Sequence, residues 1–469
     1  MVFSIIRIIC FKYIPLTQLI IDINFIKLNY NFIICLYNQY FYLYKKTAMK
    51  YLFFLLFIGA TLLSCNNDDD QSNPPLTLSD NVEVYNEDLI ENGYVLAVEN
   101  GSTTSYLLNK EGFKVYEWTF EDNLGNDLEI LPNGKLLGMF KTDSPDVSFG
   151  GFGGVLKILN SDGTTDWQYI YASANTIAHH DIEILPNGNV LFIAWERIAN
   201  IPAAQAGVDT TNDIFPEVLV EINPNTNQIV WEWHSFDHII QDRFDTSPNF
   251  GNVSDNPQLI DINYNIVENG DIMHANGIDY DTEKDVIYLS VNFYHEVWVI
   301  DHSTTIAEAA SSYGGNYNKG GDLLYRFGNP EAYKNNQGQR IFYNNHFPNL
   351  LEGEEPGAGN VLVYGNGNDI NQSTVYELDI PEDFSLIPNT NNEPVILWSF
   401  TDSDLFFGRI SGAVRLKNGN TLIAEGDYGL WEVTPDHEIV WKYNGQGSNF
   451  WRCYGYLPND ESIINLDLF

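Results

Sequence analysis

Cysteine is scarce in this chain, and its spacing excludes two common classes of site. The 469 residues include four cysteines, Cys10, Cys35, Cys65 and Cys453, and no two of them form a CxxC pair. Zinc ribbons and thioredoxin-like redox sites need cysteines that lie close together in sequence. The sequence therefore predicts no cysteine-based metal or redox site, and we expect a function that uses no metal and no other cofactor.

Positive charge is also scarce. Lys and Arg number 23 against 63 Asp and Glu, which gives a formal net charge of −40. A field of this sign repels nucleic acid and anionic membrane surfaces, so we expect neither as a partner. It also repels anionic small molecules at long range. Any site for an anionic substrate must therefore be built locally from histidine, arginine and backbone amides.

The N-terminal region has the pattern of an exported lipoprotein. Met49 and Lys50 precede the apolar stretch YLFFLLFIGATLL, and Ser64-Cys65 follows it, which resembles a bacterial lipobox with Cys65 as the lipidated residue. We interpret 1–48 as a segment upstream of the true start at Met49, although an extra membrane-seeking segment is the alternative. Residues 49–64 are then a signal peptide, 65–83 an acidic tether and 84–469 the catalytic domain.

This pattern predicts a location in the cell envelope of a Gram-negative bacterium. We expect attachment to the outer membrane, facing the cell surface, and contact with the membrane only through the lipid on Cys65. A homodimer is compatible with the sequence.

An internal repeat indicates an all-β protein. Each copy has an apolar stretch, an Asn-Gly or equivalent turn, an alternating apolar run and a strand that ends near tryptophan. Asn-Gly between apolar alternations is a strong hairpin signal. Six such copies predict a six-bladed β-propeller, and a two-sheet sandwich with extra hairpins is the alternative. The copies run over 93–120, 128–171, 181–236, 274–327, 345–400 and 411–443.

Three of the copies begin with histidine at nearby positions of the repeat. In a propeller, equivalent positions of successive blades surround the central channel, so we expect these side chains to converge in one cavity. Imidazole serves as nucleophile, acid, base or ligand near neutral pH. The equivalent positions are His179, His274 and Asn345, then His180, Ala275 and His346, then Asp181, Asn276 and Phe347.

Several segments resemble the bacterial arylsulfate sulfotransferases that do not use phosphoadenylyl sulfate. They are GYVLAVENGSTTSYLLNKEGFKVYEW (93–118), HHD (179–181), HANGIDYD (274–281), NNHF with GNVLVYGNGN (344–368), and SGAVRLKNGNTLIAEGDYGLWEVTPDHEIVWKY (411–443). The resemblance covers about 84–460. It implies a six-bladed propeller that moves a sulfuryl group from a phenolic sulfate ester to a phenolic acceptor through a sulfohistidine.

The resemblance also implies roles for particular residues. His346 matches the nucleophile, and His274 with Asn276 matches the His-x-Asn pair that contacts the sulfuryl oxygens. The His179-His180 pair supplies a further histidine of the site, and strand alternation does not decide which of the two faces it. We name His180 as catalytic and His179 as substrate-binding.

One position departs from the family pattern. The family places an arginine about eighteen residues after the histidine of its His-x-Asn pair, and Asn292 stands there in this chain. Arg409, Arg340, Arg243 and His295 are the candidates that would replace it, and we assign substrate binding to Asn292 and Arg409. A non-catalytic propeller lipoprotein that binds a glycan, peptide or protein is the alternative function, and a hydrolase or lyase is a third.

Overall fold

The computed structural model describes residues 76–466, and it confirms the six-bladed β-propeller. Alternating apolar residues and short turns build six small antiparallel sheets, each with one strand along the central channel. Leu131–Gly134, Leu185–Gly188 and Leu416–Gly419 form the predicted turns between the first two strands of a blade. Their last residues, Gly134, Gly188 and Gly419, have φ of 76°, 81° and 94°, a conformation that glycine adopts without strain.

The first three blades contain the following strands, with the channel strand first. Blade 1 has β27 (Phe450–Tyr456), β2 (Tyr94–Glu99), β3 (Thr104–Asn109) and β4 (Lys114–Thr119). Blade 2 has β5 (Leu124–Ile130), β6 (Leu136–Lys141), β7 (Gly154–Leu159) and β8 (Thr165–Ile170). Blade 3 has β9 (Thr176–Ile184), β10 (Val190–Glu196), β11 (Glu217–Asn223) and β12 (Gln228–His234).

The other three blades follow the same plan. Blade 4 has β15 (Ala275–Asp281), β16 (Val286–Val291), β17 (Glu296–Asp301) and β18 (Tyr325–Phe327). Blade 5 has β19 (Asn345–Leu350), β20 (Val361–Gly365), β21 (Thr374–Asp379) and β22 (Val395–Phe400). Blade 6 has β23 (Gly412–Arg415), β24 (Thr421–Glu425), β25 (Gly429–Val433), β26 (Ile439–Asn444) and, at its outer edge, β1 (Val82–Tyr85).

The long segments between strands carry small additional elements. A parallel pair, β13 (Ile239–Ile240) with β14 (Ile260–Asp261), lies between blades 3 and 4. Short α-helices occur at α1 (Asn200–Gln205), α2 (Ile306–Ala309) and α3 (Glu461–Asn465), and 3₁₀ turns at Ser235–His238, Val253–Asp255 and Pro330–Tyr333. Within 76–466, no helix has the length and apolarity that a membrane crossing requires.

Both ends of the described chain contribute to closing the ring. Strand β27 pairs antiparallel with β2, so the last strand completes the first blade. Strand β1 pairs with β26, and it begins at Val82, so it includes the last two residues of the expected tether. Residues 1–48, the predicted signal peptide at 49–64 and Cys65 lie outside the described residues, so both the signal peptide and lipidation at Cys65 stay predictions.

The tryptophans near the ends of the outer strands connect neighbouring blades, as the repeat pattern suggests. In five blades an indole N–H donates to the hairpin between the third and fourth strands of the next blade, and in blade 4 the Tyr325 hydroxyl replaces it. The donor and acceptor pairs are Trp118 with Ser161 O, Trp167 with Asn227 Oδ1, Trp231 with Thr304 Oγ1, Tyr325 with Asn392 O, Trp398 with Pro435 O and Trp441 with Lys110 O.

Several channel strands contain a bulge at about the same height. In β9, His180 and Asp181 have no partner on β10, and in β15 and β19 the extra residues are Asn276 and Phe347. His180 and Phe347 have φ of 59° and 52°, which is unusual for residues with a side chain. A bulge breaks the simple alternation of side chains along a strand. Residues before the bulge face one cavity of the channel, and several residues after it face another.

Candidate active site

The structure brings His180, His274 and His346 together in one cavity of about 570 Å³, which we call the histidine cavity. The ring centres of His180 and His274 are 4.8 Å apart. The ring of Trp451 lies between the other pair, 5.6 Å from His180 and 5.9 Å from His346. The three histidines, which stand at nearby positions of the repeat, therefore face one cavity.

His346 is held in one tautomer by its neighbour Asn366. The Asn366 amide donates to the carbonyls of Phe407 and Ile410, so its Oδ1 is left to accept. That oxygen lies 2.6 Å from His346 Nδ1, which must carry the proton. Burial lowers the pKa of His346 to about 3, against the opposing effect of the Asn366 hydrogen bond. At neutral pH the ring is therefore uncharged, with a lone pair on Nε2.

His274 has a carboxylate partner. Its Nδ1 lies 2.5 Å from Oδ2 of Asp271, whose side chain is 4% exposed. Its ring stacks on Phe293 with 4.7 Å between ring centres. The backbone of His274 has φ of 53°, so the chain accepts a strained conformation to present this ring. The arrangement fixes Nδ1 toward Asp271 and leaves Nε2 free for a ligand.

The structure distinguishes the two neighbouring histidines of blade 3. His180 lines the cavity, whereas His179 is fully buried behind it and stacks on Trp195 at 3.5 Å between ring centres. The two Nδ1 atoms are 2.7 Å apart, and His179 Nε2 lies 2.9 Å from Glu217 Oε2. His179 therefore contacts the site through His180 and not through the cavity.

Asn276 and Asn292 occupy different positions relative to the cavity. Asn276 is fully buried, does not line the cavity and donates to the carbonyl of Asn345. Asn292 lines the cavity, and its amide also donates to that carbonyl. The same Asn292 nitrogen lies 3.5 Å from His346 Nδ1. Asn276 thus supports the backbone next to His346, and Asn292 is the amide that a ligand would meet.

The structure separates the four candidates for the missing cation. Arg409 lies at the cavity wall, exposed, over the ring of Phe407, and it forms no ion pair with another residue of the described chain. Arg243 pairs with Asp209 away from the cavity, and Arg340 donates to the carbonyl of Phe342. The Nδ1 atom of His295 accepts a hydrogen bond from the backbone N–H of Asn344. Within 76–466, Arg409 is the one residue that places an unpaired guanidinium at this cavity.

A second cavity of about 850 Å³ lies further along the channel strands, and we call it the carboxylate cavity. Burial raises the pKa of Asp127 to about 8, of Asp279 to about 8 and of Glu129 to about 7. Among the residues 76–466, no group of three or more His, Cys, Asp or Glu side chains has an arrangement that would hold a metal ion.

Arg452 marks the boundary between the two cavities. Its buried guanidinium donates twice to Asp181, over 2.7 and 2.8 Å, and lies 3.5 Å from Asp127. The Phe347 ring packs against it at 3.9 Å. Its neighbour Trp451 faces the histidine cavity, while Arg452 faces the carboxylates. The one strongly buried cation of this wall is thus neutralised by the carboxylate side.

Comparison with known proteins decides the family. The sequence profile described as Arylsulfotransferase (ASST) matches residues 65–442. The chain belongs to the arylsulfotransferase family. Family membership implies a sulfotransferase that acts on a small aryl sulfate donor and a phenol acceptor, and it agrees with the resemblance found in the sequence. No curated protein sequence matches this arylsulfotransferase.

Solved structures give weaker similarities. A candidate 6-phosphogluconolactonase from Bacteroides fragilis is 9% identical with a TM-score of 0.40, over 78% of this chain and 98% of that one. A protein of unknown function from Desulfotomaculum acetoxidans is 10% identical with a TM-score of 0.37, over 78% of this chain and all of that one. Scores this low carry no argument about function.

Several residues of the site escape the sequence analysis. Asp271 stands three residues before His274, and this spacing is only a weak indication in the sequence that the two side chains meet. Glu217 and Asn366 are 38 and 20 residues from their histidine partners, and no motif connects them. Trp451 lies on the closing strand β27, which follows the last recognised repeat at Tyr443.

Proposed function

We propose that this arylsulfotransferase moves a sulfuryl group from a phenolic sulfate ester to a phenolic acceptor through a covalent sulfohistidine at His346. One observation carries the proposal. His346 is neutral, its Nδ1 proton is bound by Asn366, and its Nε2 lone pair belongs to a ring that lines the cavity. A neutral imidazole in this state is a competent nucleophile.

The chemistry balances over two half-reactions. In the first, Nε2 of His346 attacks sulfur, the bond from sulfur to the aryl oxygen breaks, and that oxygen receives the electron pair and a proton from a neighbouring histidine. In the second, the acceptor phenol oxygen attacks sulfur, the nitrogen–sulfur bond breaks and the phenol proton returns to the histidine. One group acts first as acid and then as base.

The cavity offers donors for the sulfuryl oxygens. With asparagine at 292, the nearby polar groups are the Asn292 amide, the Nε2 side of His274 and the guanidinium of Arg409. Donors arranged before the reaction stabilise charge that redistributes in the transition state. Phe293 and Trp451 supply ring surfaces for the phenol. These contacts support a planar aromatic donor with one sulfate.

Turnover of p-nitrophenyl sulfate tests the proposal. We expect nitrophenol release that depends on an added phenol, and its loss in His346→Asn. His302→Asn is the matched control, because His302 also has a bonded ring but lies outside the cavity between Glu221 and Asp285. Release without phenol would indicate a sulfatase. No release at all would favour the alternative, a non-catalytic propeller that binds a partner.

A further inference from the structure

Glu217, His179 and His180 form one continuous chain of hydrogen bonds that ends at the histidine cavity. Glu217 Oε2 is 2.9 Å from His179 Nε2, and the two Nδ1 atoms are 2.7 Å apart. Glu217 and His179 are fully buried, and His180 is 3% exposed. The ring end of His180 lies against Gly151, where an ideal Cβ would be 2.0 Å from Nε2. Only glycine leaves room for this ring at the wall.

The short distance between the two Nδ1 atoms fixes the number of protons between them. Two lone pairs would repel at 2.7 Å, and two N–H groups would clash, so one proton must lie between the rings. Because each neutral imidazole has one N–H, the proton on one ring determines the tautomer of the other. The state of Glu217 therefore reaches His180 Nε2 through His179.

Two arrangements satisfy every bond of this chain. When Glu217 is protonated it donates to His179 Nε2, His179 Nδ1 donates to His180 Nδ1, and His180 Nε2 carries the proton at the cavity end. When Glu217 is ionised, its proton is on His179 Nε2, the His179 proton is on His180 Nδ1, and the proton of His180 Nε2 has left, so this nitrogen has a lone pair. In both arrangements Glu217 Oε1 accepts the Ala275 amide at 2.7 Å, so Oε2 keeps its direction.

We propose that Glu217 is the proton reservoir of the transferase reaction, and that His179 and His180 carry the proton between its carboxyl group and the aryl oxygen. This rests on the proposed function. When the donor cleaves, His180 Nε2 gives its proton to the leaving oxygen, His179 Nδ1 reprotonates His180 Nδ1, and Glu217 reprotonates His179 Nε2. The acceptor phenol reverses these transfers, so no proton is gained or lost over a cycle.

The chain removes a chemical obstacle. A neutral imidazole that loses its only N–H proton becomes an anion, which is far too unfavourable near neutral pH. With the chain, the negative charge settles on a carboxylate that also accepts the Ala275 amide. Burial raises the pKa of Glu217 well above its usual range, and burial lowers the pKa values of both histidines. The resting chain therefore holds its proton on Glu217.

Other charges face the chain and contribute to its proton balance. Asp271 lies near Glu217 and opposes its ionisation. His180 also has positive or ionisable groups around it, which oppose a positive charge on its ring. These groups are His274, His346 and Arg452. None of them is bonded to His179, so the route to Glu217 is a separate one.

The variant Glu217→Gln tests the chain. Its amide can still donate to His179 and accept from Ala275, but it cannot give up a proton. We expect kcat/KM for phenyl sulfate, a donor with a poor leaving group, to fall by about 100-fold or more. For p-nitrophenyl sulfate, whose phenolate leaves without a proton, we expect a fall of less than about 5-fold. Equal falls for both donors, or no fall for either, would overturn the proposal.

Glu221→Gln is the matched control, since Glu221 lies on the same strand β11 and binds His302 over 3.0 Å outside the cavity. This variant should leave kcat/KM for both donors unchanged. If Glu217→Gln fails to fold, His179→Gln interrupts the same route at its middle, and the same difference between donors is expected.

Nitrogen NMR separates this proposal from the proposed function, because it needs no turnover. In the wild type, we expect His180 to carry its proton on Nε2 and to convert to the Nδ1 tautomer as pH rises and Glu217 ionises. In Glu217→Gln the Nε2 tautomer should persist at every pH. No conversion in the wild type, or conversion in the variant too, contradicts the chain. Absent sulfuryl transfer with the expected tautomers contradicts only the proposed function.

Discussion

The two cavities of the channel are built by the same strands but have opposite electrostatics. On β9, His180 faces the histidine cavity and Asp181 faces the carboxylate cavity. On β27, Trp451 faces the histidine cavity and Arg452 faces the carboxylate cavity. Burial keeps the imidazole of His346 uncharged by lowering its pKa, and it favours the protonated carboxyls on the other side by raising theirs. Burial thus favours the uncharged form of both the imidazole and the carboxyl group. An uncharged imidazole keeps a nucleophilic lone pair, whereas a protonated carboxyl group is a poor nucleophile.

The contacts of Arg452 show which of the two cavities its buried positive charge serves. Arg452 lies at the boundary, yet both of its bonds to a side chain reach Asp181 on the carboxylate side. Since it is already neutralised, it adds little attraction for a sulfate in the histidine cavity. The anion must therefore meet histidine, amide and the exposed Arg409. Variants on the two sides of this boundary should therefore differ in stability, activity and pH dependence.

Replacing Arg452 should damage stability most. In Arg452→Met the carboxylates of Asp181 and Asp127 lose a buried partner, and breaking such a pair costs about 3–5 kcal/mol. Urea unfolding measures the loss, and Asp181→Asn in the same chain should restore part of it. The control is Arg197→Met, whose pair with Asp213 lies at the surface, where solvent screens it, so its loss should change stability little. A loss below about 1 kcal/mol for Arg452→Met would contradict the role of the boundary.

Two substitutions on blade 4, one facing each cavity, should differ in their effect on activity. We expect His274→Asn to lower kcat/KM by about 100-fold, because it removes one preorganised donor, while some intermediate still forms. Asp279→Asn, five residues further and facing the carboxylate cavity, should change it by less than about 2-fold. Initial rates with p-nitrophenyl sulfate and phenol compare the two. Similar losses in both variants would mean that the cavities act as one site.

The cavities should also respond to pH in opposite directions. The folded pKa of Asp279 is raised to about 8, so the folded state binds more protons than the unfolded one between about pH 4 and 8. Its contribution is fully present at low pH and is lost as pH rises through 8. The folded pKa of His346 is lowered to about 3, so its contribution is lost as pH falls from about 6.5 toward 3.

Asp279→Asn tests the alkaline side of this difference. The amide resembles the protonated carboxyl, so the variant should match the wild type near pH 5 and exceed it in unfolding free energy by roughly 4 kcal/mol at pH 9, because the wild type loses about 1.4 kcal/mol per pH unit between about pH 5 and 8. Asp166→Asn, at an exposed pair with Lys135, should keep the wild-type pH dependence. An equal pH slope for Asp279→Asn and the wild type would contradict the raised pKa.

Arg409 should have the smallest effect of this series. We expect Arg409→Gln to raise KM for p-nitrophenyl sulfate by about 3- to 10-fold, with less effect at high salt, because an exposed charge is screened. Arg243→Gln, paired with Asp209 outside the cavity, is the control and should not change KM. An unchanged KM for Arg409→Gln would mean that Arg409 does not bind the sulfate and that His274 and Asn292 do so without it.

The repeat explains which features are predictable from the sequence. Hairpin turns and outer-strand tryptophans recur with the blade, so they predict the propeller, and the nearby positions of His180, His274 and His346 in the repeat predict that they converge. The bulges do not follow from the register, because they break the alternation on which it depends. For that reason the sequence alone does not decide between His179 and His180, and it predicts Asn276 at the cavity, which the buried Asn276 does not line.

Contacts between distant segments account for the rest. Glu217 meets His179 across neighbouring strands of blade 3, and Asn366 meets His346 from the end of β20, so each partner is set by tertiary structure. The carboxylate cavity was also not predicted. Its acids are spread singly over several blades, where they look like ordinary solvated positions until the channel closes around them.

The most direct measurement is the mass of the peptide that carries His346 after brief exposure to an aryl sulfate without acceptor. Digestion at neutral or alkaline pH preserves the acid-labile nitrogen–sulfur bond. We predict one added sulfuryl group on His346, its disappearance when phenol is added, and no label on His346→Asn. Donor turnover at the normal rate in His346→Asn, or a label on another residue with His346 unmodified, would contradict a covalent intermediate at this histidine.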